Sequence, residues 1–469
     1  MMAGALLLLT GLAANASAPC VRPNRAGIQV QGEVRICPGR YRIADPSERG
    51  VIIAAASGTR IDLSGVVLES GDSVPGRFVG SGVTSRGVDG VSILGGTVRG
   101  YRFGVRLEGG RGHRITGMDL SGSRRQPLRS TPERADTADR LDPFRPRIFL
   151  AYGGGILLQG TTGASVTGIT ARGAQNGIGL VEARESYLAD NLLTGNTGWA
   201  IHLWRSSRNH VVRNRADQTR RCAALGAECG SAALLIRERS DSNTIAENDL
   251  SSSSTGLWLT GARPLAGASV GNLIYRNDAS HASGSGFLAA YSWNISFLEN
   301  RVDGAQRGFR LDHVNGSTLR ANTVIGAREA AITADHGHDN TMESNVLLDA
   351  RVGIRVSAAK VVAGSRGYRI DDNVLGGTQQ GVVLEQTTQA RVRGNLFDRV
   401  GDGLVVDAAG HGTEVSGNVF LRASGWFIEA PDLNAGGNFW ATADAAAAGA
   451  RVKGRISVRP WRPASAAGY

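Results

Sequence analysis

The chain has 469 residues, 65 of them Gly, with 41% hydrophobic and 20% charged residues and a formal net charge of +11. The absence of a Gly-X-Y period excludes collagen, and the apolar content excludes a disordered chain. The length exceeds what one ordinary core supports but suits a solenoid, and the positive charge points to an acidic partner, with no nucleic-acid role expected.

Residues 1–18 read as an export leader: an apolar run opens at Ala3, and Ala16-Ser17-Ala18 supplies a small-residue cleavage pattern. No Lys or Arg precedes the run, and no later segment is apolar enough to span a membrane. A secreted or periplasmic monomer is therefore expected. In that setting Cys20 with Cys37, and Cys222 with Cys229, are expected to close two local disulfides. That pairing rests on proximity, and neither pair has zinc-ligand spacing. Residues 20–60 read as a cap with strand-like stretches at Gly27–Val30 and Val34–Ile36.

Farther along, one short pattern returns every 22 or 23 residues: Gly or Ala, apolar, variable, apolar, then two polar residues. It is written by Gly286-Phe287-Leu288-Ala289, Gly308-Phe309-Arg310-Leu311, Ala331-Ile332-Thr333-Ala334 and Gly353-Ile354-Arg355-Val356. A period this short cannot hold two helices and a turn. It fits one coil of a parallel β-solenoid, an all-β fold of about 12–14 coils over residues 19–440. The spacing stretches at insert loops 122–148 and 218–231, and less at 261–271 and 358–367; these are expected to wall one face of the rod. Two Asn columns accompany the coils. One holds Asn209, Asn243, Asn272, Asn294 and Asn340; the other runs from Asn191 through Asn300 and Asn322 to Asn418. Asn bonds turns and stacks into ladders, so both are assigned to structure.

Near the end stand Gly437-Asn438-Phe439-Trp440 and Ile456-Ser457-Val458-Arg459-Pro460-Trp461, with 441–469 read as a C-terminal cap. These motifs, with the Cys20…Cys37-Pro38-Gly39-Arg40-Tyr41 start, resemble secreted right-handed parallel β-helix proteins. The superfamily includes polysaccharide lyases, C5-epimerases, glycoside hydrolases and NosD-type periplasmic accessory proteins. The resemblance thus implies a fold and leaves the activity open. No Asp-Pro-His run of the alginate-epimerase kind is present.

With Gly or Ala as origin, positions one and three point inward and positions two and four outward. Trp199, Phe287 and Phe309 are read as core. The outward columns are bland at both ends (Leu157, Gly179 and Val181 at one) and change in the middle. There they display His202, Trp204, Arg205, Arg237, Glu238, Trp258, Tyr291, Arg310, Asp312, His313, Asp335, His336 and Arg355. Aromatic residues suit sugar stacking, Arg suits carboxylates, and His and Asp suit proton transfer. Asp312-His313 stands one coil from Asp335-His336. Like charges at that spacing set an acid beside a base.

Three chemistries follow. A lyase or C5-epimerase would neutralise a uronate carboxylate with Arg310, Arg237 or Arg355 and remove a proton with His313 or His336, with Glu238 as a further catalytic candidate. A glycoside hydrolase would use Asp312 and Asp335. A divalent cation would sit among His313, His336, His338 and the Asp residues, although no cofactor is expected. His202, Trp204, Arg205, Arg237, Trp258, Tyr291 and Arg355 are the expected contacts for an acidic polysaccharide. A non-catalytic NosD-type accessory or glycan-binding protein is the alternative of a different class.

Overall fold

The computed structural model describes residues 20–131, 133–134, 136–145, 148–221, 229–261, 267–358, 364–442 and 444–460. The expected leader, Cys222 and residues 461–469 lie outside these. Short strands fall into stacked parallel sheets, the largest with 18 strands and the next with 15. A six-stranded sheet from Arg301–Asp303 to Val419–Phe420 forms a third face. Each coil climbs one rung; most lend a strand to each of the two larger sheets, and several meet the third face only through isolated bridges. The stack is longer than the expected coil number, because the segments read as caps also pair. Ile28–Val30 pairs Ile52–Ala54, and Ile428–Asn434 pairs Val452–Ser457.

Seven rungs of the large sheet carry or adjoin the candidate site residues: β1 Trp199–Trp204, β2 Ala232–Arg237, β3 Leu257–Thr260, β4 Ser285–Trp293, β5 Arg307–Asn315, β6 Ala330–Asp335 and β7 Val352–Ser357. Their pairing is in register, so Phe287, Phe309, Ile332 and Ile354 form one inward column. Phe287 stacks on Phe309 at 4.8 Å between ring centres. Burying one such side chain stabilises the rod by about 1.5–3 kcal/mol. The pattern's Gly has a steric cause. A Cβ on Gly308 would meet the Ala331 carbonyl oxygen at 2.4 Å and Val324 at 2.7 Å.

The longer Asn column is a continuous ladder from Asn191 to Asn438. Each side chain donates to the next Asn and accepts the backbone N–H of the previous one, as in Asn300 Nδ2 to Asn322 Oδ1 at 3.0 Å and Asn300 N to Asn322 Oδ1 at 2.9 Å. The second ladder joins Asn209, Asn243 and Asn272. Asn294 is not in it. The matching position is Ile295, whose N–H is taken by Ser317 Oγ, and Asn294 instead adopts a left-handed turn conformation with φ 54°.

A Cys20–Cys37 disulfide closes the first coil, and Cys229 is disulfide-bonded. Among the described residues no helix is long and apolar enough to cross a membrane.

Candidate functional site

Insert 122–148 ends in a short helix, α1 Ile148–Tyr152, that lies on the outward side of the sheet. Its Phe149 packs where a Cβ on Gly179 would stand 2.3 Å from the ring, and Leu157 and Val181 are buried beneath the same cluster. The bland outward residues are therefore a docking surface. The insert is tied down by Arg221, which is buried and donates to the Asp139 carbonyl, to Thr197 O at 3.2 Å and to Gln126 Oε1 at 2.7 Å.

This docking corrects several expected subsites. His202 is 1% exposed, in ring contact with Phe149 and Trp199, and neither ring nitrogen has a hydrogen-bond partner among the described residues. Burial, with Arg237 nearby, holds its imidazole well below the ordinary value of 6.5. Trp204 is buried as well, with Arg205 and Arg237 packed on its ring at 5.1 and 5.5 Å. Arg237 is sealed from solvent, pairs with Glu238 and donates to Arg145 O at 3.3 Å. His202, Trp204 and Arg237 are insert anchors, because a side chain beneath α1 cannot meet a polysaccharide.

Glu238 is also corrected. It accepts from Trp204 Nε1 at 2.9 Å and pairs with Arg237 and Arg205. Burial pushes its carboxyl up, but the hydrogen bonds from Trp204 and Arg237 outweigh this and hold it below its ordinary value. It lies three rungs from His313, so it does not join the acid–base group. Arg355 is likewise occupied, held bidentately by Glu385 at 2.8 and 2.6 Å.

The structure does bring the Asp312-His313 and Asp335-His336 pairs together. Asp312 opposes Asp335 directly across β5 and β6. Tyr291, His313 and His336 each bend the chain at a left-handed residue, φ 48°, 54° and 54°, at the same turn of consecutive coils. Such a φ is uncommon outside Gly, and its repetition aims the three rings into one stack. Tyr291 lies 4.7 Å from His313, and His313 4.8 Å from His336, with planes only 21° and 15° apart. Tyr291 is thus the end of the stack rather than an open sugar platform. Asp312 Oδ1 meets His313 Nδ1 at 2.6 Å and lies 4.0 Å from His336 Nδ1. Asp335 takes a different partner, the hydroxyl of Ser357 one rung on. Ser357 was missed in the sequence because it is an ordinary polar residue at the end of β7.

Asp312, His313 and His336 are close enough for a shared cation. Their geometry argues otherwise. Imidazole lone pairs lie in the ring plane, so two rings stacked within 15° aim nearly parallel rather than at one point. His338, the other expected ligand, turns instead to Asp339 at 2.9 Å.

A groove of about 770 Å³ is lined by the insert on one side and by Trp258, Arg307 and Arg310 on the other, and it reaches the strand of the Asp312-His313 pair through Arg310. Arg307 is paired with Glu329. Arg310 has no ion-pair partner among the described residues, and it stands two residues before Asp312 on the same strand face.

The family model for "Periplasmic copper-binding protein (NosD)" matches residues 57–278, and that for "Right handed beta helix region" matches 233–420. The described His residues of the first stretch do not form a copper site. Both ring nitrogens of His113 are engaged, by Val91 N and Gly109 O, His202 is sealed under α1, and His210 lies on another sheet. No curated protein sequence matches the chain. Similar solved structures include the surface adhesin PfbA of Streptococcus pneumoniae, at 12% identity and TM-score 0.43 over 84% of each chain. Another is the A-module of the mannuronan C-5 epimerase AlgE6 of Azotobacter vinelandii, at 14% identity and TM-score 0.44 over 84% of this chain and 91% of that one. A third is the catalytic domain of a GH87 α-1,3-glucanase, at 11% and 0.45 over 77% and 64%. At such identities none of these activities transfers to this chain. Consecutive parallel coils run through both matched stretches, and the chain belongs to the right-handed parallel β-helix superfamily.

Proposed function

We propose that the protein is an exported polysaccharide-modifying enzyme that removes the C5 proton of a uronate residue, as a lyase or C5-epimerase. One observation carries this reading: a His313–Asp312 dyad at 2.6 Å, stacked on a second imidazole and two residues from an unpaired Arg310 at a groove. Donation of Nδ1–H to Asp312 leaves the lone pair of His313 on Nε2, and the carboxylate supports the imidazolium that forms. Arg310 binds the uronate carboxylate and spreads the charge that develops as C5 loses its proton. In elimination the electron pair moves between C5 and C4, and the C4–O bond breaks. His336 returns a proton to the leaving oxygen. In epimerisation the C4–O bond stays intact, C5 takes a proton from solvent on its opposite face, and the imidazolium of His313 then gives up its proton to solvent. Hydrolysis by the two carboxylates is the weaker reading, because Asp312 is engaged by His313 and Asp335 by Ser357.

The NosD-family match supports a second reading, a non-catalytic periplasmic role. Incubation with a panel of uronate and neutral glycans separates the readings. Ultraviolet absorbance reports unsaturated uronate, a reducing-end assay reports hydrolysis, and exchange at C5 in deuterated water reports epimerisation. Unsaturated product or C5 exchange supports the proposal, and His313→Ala is expected to lower that rate about 10²–10⁴-fold. Reducing ends without unsaturation select the hydrolase, and binding without turnover selects the accessory role.

A further inference from the structure

The groove meets the proposed reacting centre at Arg310 and runs from there toward the insert. Its floor carries Arg310 at one end and Trp258 at the other, in one outward column with Leu288 between. Two rungs separate them, about 9.6 Å at a spacing of ~4.8 Å, the scale of two linked sugar rings. The insert contributes Pro143 and Phe144 to the same groove. Phe144 is 42% exposed, among the few large apolar side chains of the described chain left open to water. Its loop is nonetheless held in place. Asp142 Oδ1 accepts the Phe144 N–H at 2.9 Å, and the sealed Arg237 donates to Arg145 O.

An exposed aromatic ring on a tethered loop, sharing a groove with a half-buried Trp, does not serve the core. Two such rings fit the C–H face of a pyranose, whose hydroxyl rim stays in water. The unpaired guanidinium two rungs away is available to an anion, in keeping with the chain's net charge of +11. We infer that Trp258 and Phe144 form a sugar-stacking subsite for an acidic oligosaccharide of at least two linked rings, one anionic group of which sits on Arg310. The inference rests on the glycan-modifying reading of the same groove and adds the length and charge of its ligand.

The test uses the full chain carrying His313→Ala, so that binding is read without turnover. Calorimetric titration is run with hexamers of galacturonate and of mannuronate, the uronate monosaccharides, and a neutral glucan hexamer. The expected result is binding of an acidic hexamer that weakens at least about tenfold with Trp258→Ala or with Phe144→Ala. Trp258→Phe keeps a stacking ring and should weaken it far less, which separates loss of the subsite from loss of fold. The monosaccharide should bind more weakly and ignore Phe144→Ala. Unchanged hexamer binding in both alanine variants overturns the subsite, while turnover by the unmodified chain would leave the catalytic reading in place. Neutral hexamer binding as tight as acidic overturns the ligand class. Failure of every hexamer to bind overturns the inference outright. Ring-dependent acidic binding by a chain that turns over no glycan upholds the subsite and removes the catalytic reading.

Discussion

Replacing Asn322 by Ala should cost more than any surface change nearby, and the ladder shows why. Asn322 Oδ1 accepts the Asn300 N–H at 2.9 Å and Asn300 Nδ2 at 3.0 Å, while its own Nδ2 donates to Phe297 O at 2.9 Å and Asn345 Oδ1 at 3.0 Å. Two partners keep alternatives: Asn300 Nδ2 still reaches Ile274 O, and Asn345 Oδ1 still accepts the backbone N–H of residue 322. The Asn300 N–H loses its side-chain acceptor inside the rod. An orphaned buried donor costs ~1–3 kcal/mol and each of the three other hydrogen bonds ~0.5–1.5 kcal/mol, so the variant should lose about 2.5–7.5 kcal/mol. In a solenoid each coil contacts only its neighbours, so the damage should centre on the coils of Asn300 and Asn345. Urea unfolding gives the size of the loss, and amide hydrogen exchange at residue 300 gives its place. Exposed Arg320, on the neighbouring strand, is the control through Arg320→Ala. A midpoint shift no larger than the control's refutes the ladder's role. Asn322→Asp adds a sign. Its carboxylate would face the acceptors Phe297 O and Asn345 Oδ1, so its folded pKa rises above the unfolded ~3.9. Stability then holds below that value and is lost as pH rises through the folded pKa. The deficit against the unmodified chain should be smaller at pH 4 than at pH 7.

His202 should make the protein acid-sensitive. Its folded pKa lies below 6.5, so stability present above 6.5 is lost as pH falls toward the folded value. His202→Leu should flatten that dependence by up to ~1.4 kcal/mol per pH unit, and a stability difference between the two chains that stays constant from pH 5 to 8 contradicts it. Arg221→Met removes the ties to Asp139, Thr197 and Gln126, so trypsin should cut between Arg124 and Arg145 well before the coils. Simultaneous cutting would show that the insert is held by other contacts.

The coils were legible because their determinants are local and periodic. Gly308 stands where a Cβ would press on the next carbonyl, and the Gly or Ala at this position marks each rung. The opposition of Asp312 and Asp335 followed from spacing alone. What the sequence hid was the landing place of insert 122–148, which has no period to read. Its anchors His202, Trp204 and Arg237 carry the same residue types as a substrate site, and only burial distinguishes them. A signal did exist: Leu157, Gly179 and Val181 turn apolar or small side chains outward, which marks a face awaiting cover. The partners of Glu238 and Arg355 were illegible for another reason. An ion pair across a rung depends on side-chain rotamers, which no spacing rule supplies.

Fixed coil pitch gives this scaffold a discrete geometry. Excising residues 278–300 would bring Asn277 against Asn322, chemically the same joint as before. The His stack would then move one rung, ~4.8 Å, toward the insert wall. Substituting a single side chain cannot produce that displacement, and a gain or loss of one coil can produce little else. The span between wall and stack is therefore counted in whole coils. Within a lineage the length of ligand accommodated would change by duplication or deletion of 22–23 residues, independently of the outward column that sets its chemistry.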